Sequence, residues 1–561
     1  MNTRRRDRIM NALCCAVLAV AVTITFGRLF RADFTNWDDA HTIRENPDFK
    51  PPTLSKLLGL WSGPRAHLYV PVTYSVWWGI SNATYRAQGV DFIQSPRGFH
   101  VVNIALHAAA ACAVFALLRQ SLLAMQFNLN RSRWCALAGA VIFALHPVQV
   151  EPVAWVSGLK DVLCGLLCAL ALWQYILYAR SSTDDRGATT RRYILTCVLF
   201  IAAMLSKPTA TMFPLMALAV DLFLLRRPMA DLLRGILPLA LFAIPGIIAA
   251  AYFQDAGGVT TLVPIQWRPF VAFDAITFYA AKLAMPMHLA LDYGRHPQAV
   301  IHSGALRYAF LVPWLLLTIG IVARKLLPEL IVGMLMFLAM LLPLLGLKPF
   351  DFQQYSTVAD HYLYMPMIGA ALIVAGLLAR ANWRLAIPIA CLLCVALGVR
   401  TFDQTRHWMD SRALWTHTLE VNPDSWVSYL NLGEYFVTVD QPGHAEDLLR
   451  ESINMHDNDP AHLNLGVIYL ERGQLTDAAR EFEQAIAIRP TSEAHTNLAN
   501  AYGQSGRFED AIREYEKALS FDPANEKAAR MLTRTRDYVH GLKSRAATRA
   551  ASTQRTPSGT D

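Results

Sequence analysis

The chain has 561 residues, of which 54% are hydrophobic and only 17% are charged, and its mean hydropathy is +0.28. Soluble domains carry about 25% charged residues, so the composition excludes an ordinary soluble protein and indicates a polytopic membrane protein. The net charge of +8 does not indicate nucleic-acid binding, because the basic residues cluster in short loops between apolar runs, as membrane orientation requires. The nine cysteines lie in apolar or span-edge stretches, and we expect no disulfide framework and no metal cluster from them.

The first apolar segment predicts both the orientation of the chain and a candidate catalytic loop. Arginines at positions 4, 5, 6 and 8 precede the nearly uncharged stretch 13–30. By the positive-inside rule, segment 10–31 is a retained anchor with a cytoplasmic amino terminus. Asp38 and Asp39 of the Asn-Trp-Asp-Asp sequence then face outward in loop 32–97. Two acids at this place suit a membrane transferase that deprotonates an acceptor; the alternative is that they cap a loop helix.

Ten further crossings are predicted from apolar runs that basic loops separate. They fall near 98–119, 134–150 and 160–179, twice between Arg192 and Arg226, and near 232–252, 307–323, 328–347, 362–379 and 385–401. The double crossing puts Lys207 at the outer apex of a short hairpin. The run 269–291 is interrupted by a proline and by polar residues, and we interpret it as re-entrant or lying at the outer surface. The prediction is eleven crossings within residues 1–401, with everything after residue 402 outside.

Ionisable residues gather at the predicted outer ends of these crossings, where they are energetically costly and indicate function. Besides Asp38 and Asp39, the candidates are His146, Glu151, Lys160, Asp161, Lys207, Asp360 and His361. We expect these side chains to converge on one outward cavity. Three alternatives stay open: a structural His146–Glu151 pair, an interfacial Lys160–Asp161 ion pair, and a Lys207 side chain that reaches the lipid headgroups.

The chain after residue 402 changes character and repeats with a period of 33 residues. Asn-Leu-Gly at 431–433 and 464–466 is followed by Asn-Leu-Ala at 497–499, and small residues recur in the same register. This is the signature of tetratricopeptide repeats, which are helix pairs stacked into a solenoid. The predicted divisions are a junction at 402–425, the repeats at 426–542 and a disordered tail at 543–561. The concave surface of three such repeats suits an extended peptide.

An ordered series of short motifs runs along residues 30–525. The motifs are Trp37-Asp38-Asp39, Glu45-Asn46-Pro47, His146-Pro147 with Glu151, Ala154-Trp155-Val156, Lys160-Asp161, Ser206-Lys207-Pro208, the stretch 359–366 and the stretch 408–415. Together they resemble the bacterial tetratricopeptide repeat membrane proteins, a family similar to the animal transmembrane and tetratricopeptide repeat O-mannosyltransferases. The resemblance implies an all-α fold in which a polytopic helical bundle of the GT-C glycosyltransferase type precedes the solenoid. One position departs from the family pattern: His361 stands where Arg is expected, and a histidine is only partly protonated at neutral pH.

The same resemblance implies a glycosyltransferase that uses a polyprenyl-phosphate donor. It would move a sugar, mannose or another hexose, to Ser/Thr hydroxyls of exported proteins, with inversion at the anomeric carbon. The implied roles are base for Asp38 or Asp39, donor phosphate binding for Lys160, Lys207 and His361, and cavity lining for His146, Glu151, Asp161 and Asp360. Neither a metal nor a cofactor is expected, because protein cations can stabilise a leaving phosphate monoester. The acceptor protein or peptide would be held by the groove of the repeats.

Two functions of other classes compete with this interpretation. A non-catalytic membrane scaffold would use the repeats to recruit partners, but it has no need for polar motifs at the outer ends of separate spans. A transporter of lipid-linked sugars would line its path with similar charges, and inverted internal repeats, which we do not find, would favour it. If the chain is bacterial, as the resemblance implies, the expected location is the inner membrane, with the amino terminus cytoplasmic and the repeats periplasmic. No nucleic-acid partner is expected.

Overall fold

The computed structural model describes residues 3–65, 68–85, 87–88, 91–92, 95–181, 186–254 and 263–553. Two compact units divide the chain at Asn422, inside the junction predicted at 402–425. The first unit has the α-helices α1 Thr3–Phe26, α2 Leu54–Gly59, α3 Pro71–Thr84, α4 Pro96–Ala124, α5 Leu129–Leu145, α6 Val150–Ala154, α7 Leu159–Ala179, α8 Arg186–Met204, α9 Phe213–Ala219, α10 Met229–Gln254, α11 Arg268–Ala284, α12 Pro297–His302, α13 Leu311–Ala323, α14 Pro328–Leu341, α15 Pro366–Arg380, α16 Trp383–Gln404 and α17 Ser411–Val421. Two strands of two residues each, β1 Ala87–Gln88 and β2 Asp91–Phe92, pair in antiparallel fashion in this unit. The predicted all-α class is confirmed.

Six helical stretches among the described residues are long and apolar enough to cross a membrane. They are Arg5–Arg31, Pro96–Ala124, Val156–Ala179, Pro208–Leu225, Met229–Tyr252 and Trp383–Trp408. The pair Leu129–Leu145 and Pro147–Ala154, bent by 54°, would make a seventh if it counts as one span. The predicted runs near 307–323, 328–347 and 362–379 form shorter apolar helices. The protein is a membrane protein, and eleven crossings stays a prediction.

Prolines explain why several helices are shorter than the apolar runs from which they were predicted. A proline lacks a backbone N–H and fixes its own φ, so it is tolerated in the first turn and breaks a helix interior. Helix α14 ends at Leu341, before Pro343, and α15 begins only at Pro366. The hairpin predicted around Lys207 breaks at Pro208, between α8 and a 3₁₀ turn at Pro208–Met212. The run 269–291 gives the 17-residue helix α11, which ends before Pro286.

Small residues let α14 and α15 pack closely. A Cβ atom added to Gly333 would lie 2.5 Å from the carbonyl oxygen of Gly369, and one added to Gly369 would lie still closer to that of Gly333. Only glycine therefore permits this backbone approach, which is the usual device for joining membrane helices. The polar segment 359–365 leads into α15.

Irregular segments carry most of the polar candidates in the first unit. A π-helical turn at Ala40–Arg44 follows Asp39, and 3₁₀ turns lie at Pro147–Gln149, Val156–Gly158 and Asp360–Leu363. Short turns leave backbone N–H groups free to bond side chains, whereas the N–H groups in the interior of a helix are already bonded. The candidate site is therefore built from turns between helices.

The second unit is a solenoid of helix pairs. Its helices are α18 Trp426–Thr438, α19 Pro442–Met455, α20 Asp459–Glu471, α21 Leu475–Ile488, α22 Ser492–Gln504, α23 Phe508–Phe521 and α24 Glu526–Thr553. Leu465, Tyr469 and Phe482 are buried in its core, and the partly buried Ile486 packs against that core. A Cβ atom at Gly466 would lie 2.5 Å from the Phe482 ring, so the small residue of the Asn-Leu-Gly motif allows paired helices to meet. Helix α24 continues through 543–553, where the sequence predicted disorder, because its alanines and arginines favour helix. The rest of the predicted tail, 554–561, lies outside the described residues.

Candidate functional site

Asp39 is a buried carboxylate whose two oxygens are both satisfied. Its Oδ2 accepts from the backbone N–H of Thr35 at 3.1 Å and from the Thr35 hydroxyl at 3.0 Å. Its Oδ1 accepts from the backbone N–H of Ser157 at 3.0 Å and from the Ser157 hydroxyl at 2.7 Å. Burial raises the pKa of Asp39 to about 6, although these hydrogen bonds lower it. Asp39 therefore ties the first loop to the turn that precedes α7 and is 1% exposed.

Asp38 is half-buried and differs from Asp39 in its contacts. Its backbone carbonyl accepts from the N–H of Thr42 at 2.9 Å, which starts the turn that follows. Within the part of the chain that the structure describes, no hydrogen bond reaches its carboxylate. The neighbouring Trp37 ring packs against Trp415 and Tyr355, with ring centres 5.6 and 5.5 Å apart. The loop is thus anchored on both sides of a carboxylate that is left available.

The two candidate lysines lie in one charged cluster with the acids. Lys207 forms a buried ion pair with Oδ1 of Asp161, and Oδ2 of that carboxylate has no partner among the described atoms. Lys160 lies 4.7 Å from the centre of the Trp155 ring and interacts electrostatically with Asp38, Asp161, Lys207 and Asp39. The structure therefore pairs Asp161 with Lys207, and Lys160 remains beside Asp38.

Glu151 binds the segment that carries Asp360 and His361. Its Oε1 lies 2.5 Å from Nδ1 of His361, and its Oε2 accepts from the backbone N–H of Asp360 at 3.2 Å. Burial, together with the charges of Lys207 and Lys160, holds the pKa of His361 well below its usual range. Among the described residues no partner is recorded for Nε2 of His361. This nitrogen is the one that remains for a ligand.

Asp360 and His146 have separate surroundings. Oδ1 of Asp360 accepts from the Tyr293 hydroxyl at 2.8 Å, and burial raises the pKa of Asp360 to about 7, against the effect of that hydrogen bond and of Lys282. Nε2 of His146 lies 3.2 Å from the carbonyl oxygen of Leu283, and its Nδ1 accepts from the backbone N–H of Val148. The open alternative of a His146–Glu151 pair is therefore wrong, since Glu151 binds His361.

Several residues that hold the site in place carried no signal in the sequence. Thr35 and Ser157 bind Asp39, and Tyr293 binds Asp360. The indole N–H of Trp415 donates to the Asn36 side chain at 2.7 Å, and the Ser411 hydroxyl accepts from the Asn36 backbone N–H. Ser411 and Trp415 belong to one of the motifs that carried the resemblance, so only that comparison could have indicated them.

The cluster has the parts that an acid–base or group-transfer reaction uses. It has a half-buried carboxylate, two lysines, an imidazole held by a carboxylate, and aromatic rings beside them. Within the described residues, no group of three or more His, Cys, Asp or Glu side chains is placed to hold a metal ion. Such an arrangement can accept a proton at Asp38 and stabilise negative charge near the lysines.

Comparison with known proteins identifies a repeat family within the second unit and relatives that are similar to longer parts of the chain. A family model described as a tetratricopeptide repeat matches residues 460–524, which span α20 to α23. A tetratricopeptide repeat protein of known structure from Thermus thermophilus covers 27% of this chain and 95% of its own at 22% identity, with a TM-score of 0.20. The family model therefore confirms tetratricopeptide repeats over 460–524, and the predicted bounds 426–542 stay a prediction.

Three curated relatives carry the name protein O-mannosyl-transferase. The one from Caenorhabditis elegans is 25% identical over 448 residues, covering 77% of this chain and 60% of the relative. Mouse TMTC4 is 24% identical over 74% of this chain and 63% of its own length. Mouse TMTC1 is 30% identical over 39% of this chain and 23% of its own length. The chain is related to the TMTC O-mannosyltransferases. It spans less than two thirds of the length of these relatives.

Proposed function

We propose that this protein is a membrane glycosyltransferase that transfers a hexose from a polyprenyl-phosphate donor to Ser/Thr hydroxyls of a protein acceptor. The observation that carries the proposal is the gathering of Asp38, Lys160, Lys207 and His361 in one charged cluster, although more than 300 positions separate the first from the last. These residue types fit a reaction that needs a base on one side of a sugar and cations on the other. The relationship to proteins named O-mannosyl-transferases supports the same class of reaction.

Asp38 is the base in this mechanism, and Asp39 is a positioning residue. A proton acceptor needs a free lone pair, and all four described contacts of the Asp39 carboxylate are already made to Thr35 and Ser157. The acceptor hydroxyl gives its proton to Asp38 while its oxygen forms a bond to the anomeric carbon. The bond from that carbon to the phosphate oxygen breaks, and the phosphate leaves with the electron pair. Because the two oxygens lie on opposite sides, the anomeric centre inverts. A positioned base contributes about 10²- to 10⁴-fold to the rate.

Lys160 and Lys207 stabilise the departing phosphate, and the neutral His361 ring binds it by donating from Nε2–H. In this tautomer Glu151 is protonated and donates to Nδ1 of His361. Lys160 interacts electrostatically with both acids of the first loop, and Lys207 is held by Asp161. Glu151 fixes the orientation of the His361 ring by binding Nδ1. Fixed charges of this kind cost no reorganisation during the reaction. His146, Glu151, Asp161 and Asp360 act as supporting residues and do not need to touch the donor.

An apolar cavity supports a lipid-linked donor. Its volume is about 540 Å³, and side chains of α11, α13, α14 and α15 line it together with Ile142 and His146 of the α5 end. His146, which lines the cavity, is five positions from Glu151 in the sequence. A polyprenyl chain has the shape and polarity that such a cavity accepts. The donor would enter from the bilayer on the outer side, and the repeats of the second unit would hold the acceptor.

Transfer of radiolabelled hexose from polyprenyl-phosphate donors tests the proposal. Membranes containing the wild type, Asp38→Asn or Asp33→Asn are incubated with each donor and a Ser/Thr peptide. Asp33 is exposed and lies five positions earlier, so Asp33→Asn is the matched control. We expect label on the peptide with the wild type and Asp33→Asn, and at least a hundredfold less with Asp38→Asn. Absence of label from every donor, with all proteins inserted, would refute the proposed function.

A further inference from the structure

A group of aromatic rings connects the two halves of the candidate site. Phe352 lies in a 3₁₀ turn at Asp351–Gln354, between α14 and α15. Its ring centre lies 6.4 Å from that of Trp37, the residue next to Asp38. On its other side it lies 6.2 Å from the His361 ring and 6.0 Å from the Tyr362 ring. Phe352 therefore contacts both the loop of the base and the segment that binds phosphate.

Phe352 is also accessible, unlike most aromatic residues in the interior of this unit. It is half-buried, as are Trp37 and Tyr355, whereas Tyr364 and Tyr279 are fully buried. Tyr355 lies 6.0 Å from Phe352 and 5.5 Å from Trp37, so the three rings form one continuous surface. We call Trp37, Phe352 and Tyr355 the aromatic surface.

The chemistry of the reaction fixes where the sugar ring must lie. The anomeric carbon is bonded to the phosphate oxygen and is attacked by the oxygen that Asp38 deprotonates. In this mechanism the hexose must therefore lie between Asp38 and the side chains that bind phosphate, and Phe352 contacts both Trp37, next to Asp38, and His361. Hexoses present C–H groups with a small positive charge, and an aromatic face carries a small negative charge. An aromatic ring here would attract the hexose and hold it for in-line attack.

We infer that Phe352, at the centre of the aromatic surface, binds the hexose ring of the lipid-linked donor and contributes to the choice of sugar. The inference rests on the proposed function and deepens it, because it assigns the sugar-binding part of the donor site. It predicts that Phe352 senses the sugar and not the lipid phosphate. Loss of its ring would weaken binding of a sugar-bearing lipid and leave binding of the bare lipid phosphate unchanged.

Binding measurements on the detergent-solubilised full chain test the inference without requiring turnover. Polyprenyl phosphate and polyprenyl-phosphate mannose are each titrated into the wild type, Phe352→Leu, Phe352→Tyr and Phe350→Leu. Phe350 is a matched control, since it is half-buried two positions away and packs against Tyr362 with ring centres 6.2 Å apart. We expect Phe352→Leu to weaken binding of the mannosylated lipid about three- to tenfold and to leave the bare lipid unaffected. Phe352→Tyr, which keeps the ring, and Phe350→Leu should bind both lipids as the wild type does.

The outcomes separate this inference from the proposed function. If Phe352→Leu weakens binding of both lipids equally, or of neither, Phe352 does not bind the sugar, and the proposed function stands. If the wild type binds neither lipid, the proposed donor is wrong and the inference falls with it. If the wild type binds both lipids with one affinity, the site does not sense a sugar, which contradicts the inference alone.

Discussion

Each compact unit contains a buried histidine that contacts a glutamate, and the two pairs differ in their surroundings. His361 lies 2.5 Å from Glu151 in the membrane unit, and His462 lies 2.7 Å from Glu481 in the repeats. The other ring nitrogen of His462 lies 2.8 Å from Asp457, so both of its nitrogens are occupied. Burial lowers the pKa of His462, but the two carboxylates outweigh it and raise the pKa above the usual value. Lysine charges add to burial in lowering the pKa of His361.

The comparison teaches that a buried histidine–carboxylate pair does not by itself indicate a functional site. The pair in the repeats recurs one period later, as His495 with Glu514 at 2.7 Å, and this repetition indicates a structural role. The pair in the membrane unit is not repeated among the described residues and has lysines nearby. What distinguishes a candidate site is an available nitrogen next to charges that a ligand would neutralise.

The largest effect expected concerns the charges around the membrane pair. Lys207→Met would remove the ion-pair partner of the buried Asp161 carboxylate, and breaking a buried pair costs about 3–5 kcal/mol in unfolding free energy. We expect a lower melting temperature of the solubilised protein and loss of transfer. The double variant Asp161→Leu/Lys207→Met should recover the melting temperature and not the transfer. A single variant that melts like the wild type would show that the ion pair is not holding the site.

A smaller effect is expected when the glutamate of each pair is replaced. Glu151→Gln weakens the hydrogen bond that orients the His361 ring, which is worth about 0.5–1.5 kcal/mol, so we expect kcat/KM for transfer to fall about two- to tenfold. Glu481→Gln is the matched variant in the repeats and should leave transfer to a short peptide unchanged. An equal loss of transfer in the two variants would contradict the distinction between a functional pair in the membrane unit and a structural pair in the repeats.

The structural pair should report on local stability. His462→Gln removes the contacts to Glu481 and Asp457, and we expect a loss of about 1 kcal/mol in the local opening free energy. Hydrogen–deuterium exchange in the full chain should become faster over α20 and α21 and stay unchanged over α7. His495→Gln should shift the same effect to α22 and α23. Faster exchange throughout both units would contradict a local role.

The smallest effect expected is a difference in pH dependence. The raised pKa of His462 means that its stabilisation is complete below the unfolded value of about 6.5 and is lost as the pH rises through the folded value. The lowered pKa of His361 means that its stabilisation is complete above about 6.5 and is lost as the pH falls. Exchange over α20 and α21, corrected for its intrinsic rate, should accelerate as the pH rises from about 6 to about 8. The same acceleration in His462→Gln would exclude this histidine as the cause.

The sequence predicted which residues carry the candidate chemistry and left their partners unknown. The 33-residue period was sufficient for the repeats, because each helix pair meets its neighbours in the chain. Glu151 had His146, five positions away, as a possible partner, and it binds His361, which is 210 positions away. Ser157 is 118 positions from Asp39, and an isolated serine carries no signal. Such contacts depend on how the helices pack, which local pattern does not encode.

The lengths of the helices could not be predicted from the hydropathy pattern either. A hydropathy window records how apolar a stretch is and cannot tell where its backbone hydrogen bonding stops. At Pro147, Pro208 and Pro366 the chain leaves or restarts a helix, and the polar candidates lie beside these breaks. The breaks that make the helices shorter than the predicted crossings are thus the places where the candidate site is assembled.

Chemical rescue of the base is the most direct test of the central claim, that Asp38 accepts the proton while Asp39 only positions the loop. Asp38→Ala and Asp39→Ala are assayed for transfer with and without added formate, which can replace a missing carboxylate. We expect formate to restore transfer in Asp38→Ala and not in Asp39→Ala, where four hydrogen bonds to the loop and the turn are lost together. Wild-type transfer by Asp38→Ala without formate, or rescue of Asp39→Ala alone, would contradict the account.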